Sequence, residues 1–298
     1  MTAVGFGVFL SGFVINEPAP YELYMATLIV GWALFGLRFS RSVVVLLTTL
    51  VLFNLGGWLS VAQMADLKTA PMYMAVSLFL ALTSVFFAAI IEGNHRILQA
   101  IFNGYVIAAV CTTMLGILGY FDAFPGAEVF TRYGRAMGAF KDPNVFGPFL
   151  ILPIAWLVHG ILVGDLRTLP LRLIPTLILT LGVFLSFSRA AWGMAVLVIA
   201  GLALALFIRS PSRLFRIRII LLAGLAVAIL LVAIVIVLSG LSIWKPVQFQ
   251  YLTALFGGYD TARYVHFFAM ATIVAFLIVH VVMAFLVPKS LRAMIIGR

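Results

Sequence analysis

Long apolar runs separated by short polar connections dominate this sequence, and that pattern leaves few folds open. A segment in hydrocarbon must satisfy its own backbone N–H and C=O groups, so each run of about 20 apolar residues is expected to cross the bilayer as a helix. About ten runs qualify, at 3–16, 23–37, 43–61, 72–91, 99–121, 145–163, 174–187, 190–208, 219–239 and 266–287. The first, second and seventh are short for a full crossing. Hydrophobic residues make up 64% of the 298 and charged residues 9%, against roughly a quarter charged in a soluble domain. One soluble core could not hide that much apolar surface. The expected fold class is therefore all-α, a polytopic integral membrane protein of about ten transmembrane helices. No basic segment precedes the first run, so its retention in the mature protein is expected rather than signal-peptide cleavage.

Charge sets the orientation. With the N-terminus inside, the inner connections and tail hold Arg38, Arg41, Arg96, Arg167, Arg172, Arg209, Arg213, Arg216, Arg218, Lys289, Arg292 and Arg298, against the acids Glu92 and Asp165. The outer connections hold Lys68, Arg132, Arg135, Lys141, Arg189, Lys245 and Arg263, balanced by Glu17, Glu22, Asp66, Asp122, Glu128, Asp142 and Asp260. The whole formal charge of +10 thus falls on one face, the positive-inside pattern of an N-in, C-in protein. It accounts for the basic balance without a nucleic-acid partner. The lone Cys111 excludes a disulfide framework or a thiol-metal site.

Most connections are short, but two outer ones are long, at 122–144 and 240–265, and long loops tend to carry function. In the first, Asp142 is a plausible N-cap and Pro143 suits a first helical turn. Capping does not explain Arg132, Arg135 and Lys141, crowded on the face without net positive charge. Cations beside a helix start suit a phosphate, which takes guanidinium and backbone N–H donors; a solvated loop is the alternative. Arg189 sits between two apolar runs with only two or three residues to turn in. It is thus placed at the outer membrane boundary, as a functional charge or as a snorkelling one.

The run Gly-Ala-Phe-Lys-Asp-Pro-Asn at 138–144 and the run Ser-Arg-Ala-Ala-Trp at 188–192, with one pair of helices between them, resemble the bacterial O-antigen ligase and polysaccharide polymerase superfamily. The Asn-Glu-Pro-Ala-Pro-Tyr-Glu loop at 16–22 adds to that resemblance, which covers about residues 1–235. It implies a metal-independent, cofactor-free glycosyltransferase on the periplasmic face of the bacterial cytoplasmic (inner) membrane. The donor would be a glycan on undecaprenyl diphosphate and the acceptor a glycan or lipid. Arg189 would stabilise the leaving diphosphate, with Arg132, Arg135, Lys141, Asp142 and Asn144 binding substrate at the mouth. The family's large periplasmic loop, with its histidine, has no counterpart here, which argues against turnover.

From Ser239 onward the chain resembles something else. Trp-Lys-Pro-Val-Gln at 244–248, Ala-Arg-Tyr-Val-His at 262–266 and the terminal Met-Ile-Ile-Gly-Arg resemble the last part of bacterial di-haem b-type cytochrome membrane subunits. That implies haem b, with His266 and His280 as iron ligands, electron transfer, and a periplasmic or membrane redox partner. The spacing agrees: fourteen residues of helix rise ~21 Å and turn back to within ~40°, suiting one ligand for each of two stacked haems. His95 and His159 are the other histidines, and nothing in the sequence pairs them with these two. The chain thus reads as two regions, 1–235 ligase-like and 236–298 cytochrome-like. A transporter or a subunit without chemistry of its own remains a third reading, although the shortage of intramembrane carboxylates disfavours a proton-coupled carrier.

Overall fold

The computed structural model describes residues 1–16, 18–36, 39–61 and 70–286, side chains at 166 and 279–286 excepted. Lys68, Asp66, Glu17, Arg38 and the basic residues of the C-terminal tail, all used in the charge count, lie outside the described residues. So does the side chain of His280.

Each of the ten apolar runs contains a helix, although the first is helical only as far as Leu10. In order they are α1 (Thr2–Leu10), α2 (Pro20–Phe35), α3 (Arg41–Val61), α4 (Ala70–Gly93), α5 (Ile97–Tyr120), the broken pair α6 (Pro143–Phe149) and α7 (Ile151–Val163), α8 (Leu169–Leu185), α9 (Arg189–Arg209), α10 (Arg213–Trp244), and, after a short α11 (Gln250–Leu255), α12 (Tyr259–Leu286). Among the described residues, seven of these, with the broken pair as one, are long and apolar enough to cross a membrane, against the ten crossings expected from sequence. The runs that are short in sequence stay short as helices: α1, α2 and α8 have 9, 16 and 17 residues. The chain is an all-α, multi-pass membrane protein.

Several boundaries differ from expectation; Arg213, Arg216 and Arg218, for example, assigned to an inner connection, lie in the first turns of α10. Arg172, assigned to an inner loop, lies inside α8, where its guanidinium reaches the Gly160 carbonyl. The second long outer loop is largely helical, because α10 runs on to Trp244 and α12 begins at Tyr259. Both extensions carry aromatic residues whose rings suit the interface, so the hydrophobic window ends before the helix does.

The chain forms two compact units. The first comprises Met1–Val163 and Leu171–Val198, the second Gly164–Pro170 and Ile199–Arg298. Lipid supplies no hydrophobic drive for helix association, so close approach of small residues must do that work. In the first unit Gly5 of α1 lies against Ala100 and Gly104 of α5, and Gly12 against Ala108, so tightly that a Cβ on Gly104 would overlap the Gly5 carbonyl. The α3–α4 pair is tied at one end by the hydroxyls of Ser40 and Ser42, both donating to the Glu92 carboxylate. The core gathers α5, α6, α7 and α8, with Phe146, Leu150 and Leu179 fully buried.

The loop from α5 to α6 folds back into this core. A hairpin of two-residue strands, β1 (Thr131–Arg132) and β2 (Arg135–Ala136), turns at Tyr133 and Gly134, both at positive φ as a type I′ turn requires. The backbone then dips beneath the hairpin, where the buried Ala139 N–H donates to Thr112 Oγ1 at 2.8 Å and the Ala139 carbonyl accepts from the Val14 N–H at 2.8 Å. Gly138, at φ +55°, has no room for a Cβ beside the Thr112 carbonyl. Irregular backbone is tolerated at this depth because protein, not lipid, surrounds it.

In the second unit α10 and α12 pack along one another, with α11 between their ends. At 1.5 Å per residue, the 32 residues of α10 extend about 48 Å, well beyond a hydrocarbon core of roughly 30 Å. Its ends are polar: Ser212 caps the Phe215 N–H, Arg216 holds the Ser210 carbonyl at 2.9 Å, and Lys245 lies 4.7 Å from the Trp244 ring at the other end.

Candidate functional sites

The arginine site of the first unit is assembled from two turns far apart in sequence. Asp142 is the N-cap of α6, its carboxylate accepting from the Asn144 N–H at 2.7 Å, and Pro143 follows in the first turn, as the sequence predicts. The other turn joins α8 to α9. Phe187 takes a positive φ of 47°, the Ser186 hydroxyl caps the Ser188 N–H, and Trp192 Nε1 donates back to the Val183 carbonyl at 3.0 Å. A Cβ on Gly147 would meet Ala191, Ser186 and Ser188 at 2.8–3.2 Å, so the second turn of α6 rests on this turn.

Arg135 joins the two. Its Nε donates to the Ser186 carbonyl at 2.7 Å and its Nη2 to Asn144 Oδ1 at 2.8 Å. Both acceptors are neutral, so its charge is not cancelled. Arg132 is different: its Nη1 donates to the Lys141 carbonyl at 3.0 Å, it faces the Asp142 carboxylate at 3.9 Å, and it lies over the Tyr133 ring. Lys141 is exposed beside it. Arg189 is the first residue of α9, exposed, with no side-chain partner among the described residues. A cation at a helix N-terminus opposes the macrodipole, and an anion there would relieve it. Ser186 and its carbonyl are the part of this site that sequence reading did not weigh as a ligand to Arg135; a backbone acceptor leaves no residue-type signal.

In the second unit the site is built on His266, two turns into α12. Its ring lies against the bare backbone of Gly240 on α10, where a Cβ would come to 3.3 Å from Cε1. Nδ1 is 3.1 Å from the Ile236 carbonyl and 3.0 Å from Ser239 Oγ. Beside it is an open groove of about 610 Å³, lined by Ile243, Phe267, Met270, Ala271 and Val274, with Arg263 as its cation. Position 280 is also on α12, fourteen residues on. His95 and His159 are exposed residues of the first unit.

These residues fit an axial ligand of haem. A carbonyl can only accept, so a proton on Nδ1 would satisfy it and leave Nε2 with the lone pair a metal takes. Among the described residues no group of three or more His, Cys, Asp or Glu side chains gathers to hold a metal ion. A lone imidazole beside an apolar groove suits iron already held by a macrocycle, which needs only axial protein ligands.

Comparison with known proteins points to the same unit. The family described as prokaryotic cytochrome b561 matches residues 215–297. The putative protein-methionine-sulfoxide reductase subunit YedZ1 of Azospira oryzae is 61% identical over 64 residues, 22% of this chain and 32% of that protein. The chain thus spans about a third of the length of the curated relative it matches. No solved structure matches. The similarities support the cytochrome resemblance of the C-terminal region and give none to the ligase resemblance of residues 1–235.

Proposed function

We propose that the α10–α12 segment is a haem b-binding part of a membrane electron-transfer subunit, with His266 Nε2 as an axial ligand. The observation that carries this reading is the Nδ1 contact with the Ile236 carbonyl, which favours a proton on Nδ1 and a free lone pair on Nε2. The family similarity of the same residues supports it. Haem b, when bound, would supply a one-electron carrier in the membrane. The chain's own contribution is to orient the imidazole, to line the groove with apolar side chains that keep water out, and to hold Arg263 where a ligand carboxylate could be met. His280, about 21 Å further along α12, would serve a second haem. The opposite axial ligands would come from outside this segment. A redox protein is the expected partner.

The test is the reduced-minus-oxidised visible spectrum of the purified chain. A b-type α band lost in His266→Ala and altered in His280→Ala is expected. A colourless protein after haem addition overturns the reading.

A second reading attaches to the first unit, and one observation favours it: Arg135 binds Asn144 of the first ligase-like run and the Ser186 carbonyl in the turn that leads into the second. In this reading Arg135 and Arg189, with Arg132, Lys141, Asp142 and Asn144 around them, would take the diphosphate of a lipid-linked glycan on the periplasmic face, and Arg189 would stabilise it as a leaving group. Binding of undecaprenyl diphosphate that weakens about tenfold or more in Arg189→Ala is expected; charge-assisted contacts are worth roughly 1.5–3 kcal/mol. Unchanged binding, or none, removes this reading.

A further inference from the structure

The haem reading leaves open what fixes the imidazole of His266, and the contacts around Nδ1 answer it. Ser239 is fully buried, and its hydroxyl has one proton to give. The Val235 carbonyl stands 2.6 Å from Oγ and the Ile236 carbonyl 3.2 Å, both inside its own helix. Giving that proton to Val235 leaves an Oγ lone pair directed at Nδ1 at 3.0 Å. The Ile236 carbonyl, 3.1 Å from Nδ1, also has only lone pairs. Proton on Nδ1, shared between Ser239 Oγ and the Ile236 carbonyl, is therefore the arrangement in which all three atoms meet a complementary one. The reverse arrangement, with Ser239 donating to a bare Nδ1, would set the nitrogen and carbonyl lone pairs against each other in a low-dielectric site. Gly240 completes the seat, since any side chain there would crowd Cε1.

We propose that Ser239 is a positioning residue: with the Ile236 carbonyl it locks His266 in the Nδ1–H tautomer and presents Nε2 as the only ligating nitrogen. The inference rests on the haem reading for its use, but the tautomer exists without haem. Acceptors on the far nitrogen raise the basicity of a ligating histidine, and losing such a partner typically weakens metal binding by about 10–100-fold.

The experiment uses the full chain in detergent, as wild type, Ser239→Ala, Ser239→Thr and Ser242→Ala. Ser242 is equally buried, but its hydroxyl donates to the Leu238 carbonyl of its own helix and its carbonyl accepts from the Thr253 hydroxyl of α11; neither contact involves His266. In the haem-free chain, nitrogen-15 spectra of labelled histidine are expected to show His266 as a single Nδ1–H tautomer in wild type and Ser242→Ala. Ser239→Ala should give a mixture with the Nε2–H form, and Ser239→Thr should restore the single form. After haem addition, Ser239→Ala should bind about tenfold more weakly with a raised midpoint potential, because the less basic imidazole stabilises the oxidised iron less. A wild-type Nε2–H tautomer, or spectra, affinity and potential that do not change in Ser239→Ala, would overturn the inference. A chain that takes up no haem overturns the haem reading instead, and the haem-free spectra still judge the role of Ser239.

Discussion

Arg135 and Ser186 lie 51 positions apart, and the guanidinium Nε of the first donates to the backbone carbonyl of the second at 2.7 Å. With the second bond to Asn144, this side chain pins the hairpin, the start of α6 and the α8–α9 turn to one another. Arg135→Ala leaves the Ser186 carbonyl and Asn144 Oδ1 to water. Hydrogen bonds from a charged donor contribute roughly 1.5–3 kcal/mol, so thermal unfolding in detergent should fall by several degrees. Arg135→Lys, a point charge without the fork, should recover less than half of the loss. An unaltered melting temperature in both variants would show that the two turns are held by packing alone.

Tyr105 answers a defect created by proline. Pro153 has no N–H, so the Phe149 carbonyl four residues back lacks its helical donor. The Tyr105 hydroxyl supplies one at 2.9 Å. Tyr105→Phe should therefore destabilise the first unit by about 1–3 kcal/mol, the cost of an unsatisfied buried group. In a Pro153→Ala background an amide can take over, and the same change should cost less. That coupling is measured by a double-mutant cycle on unfolding free energy, and additive single effects would show that the phenol has no such role.

Gly104 is where α1 comes closest to α5, its missing Cβ position lying inside normal contact of the Gly5 carbonyl. Gly104→Val should push α1 away, at about 1–3 kcal/mol for overpacking a tight contact. Gly31, with open space around its absent Cβ, should tolerate the same change. Limited proteolysis of the segment after α1 would read the difference, and equal resistance in both variants would mean that α1 is not held by this contact.

The helices were legible in the sequence because hydrocarbon enforces a single backbone solution, and each of the ten apolar runs holds a helix, seven of them among the described residues long enough to cross. The capping of α6 by Asp142 was legible for a similar reason: the Asp-Pro pair fits few other local structures. The helix ends were less legible. Trp244 and Tyr259 belong to helices that outrun their apolar windows, and hydropathy cannot see backbone geometry past the interface. Least legible were contacts made by backbone atoms. The Ser186 carbonyl under Arg135 and the Ile236 carbonyl under His266 have no identity in the sequence, since any residue carries one. His266 itself stood out, because a histidine in an apolar helix is rare enough to ask for a reason.

Orientation is the prediction that binds the two sites to one side of the membrane. The inner basic residues, Arg209, Arg213, Arg216 and Arg218 among them, flank the α9–α10 connection, whereas Tyr133, at the tip of the hairpin, belongs to a loop that the charge count assigns to the outer side. Tyr133 is highly exposed, so a cysteine there should react from outside with a membrane-impermeant maleimide in intact cells. A cysteine at Ser210, in the basic connection, should react only after the cells are opened. The native Cys111 is half-buried within α5 and is best replaced by alanine first to remove background. Placing the α9–α10 connection inside also puts the start of α12, with Arg263 and His266, at the outer side, since α10 and α12 are joined by the short α11 region near Trp244. Reversed labelling, with position 210 reactive in intact cells, would invert the positive-inside assignment. It would also move Arg135 and Arg189 to the face where a periplasmic donor cannot reach them, and the haem reading would survive while the lipid-diphosphate reading would not.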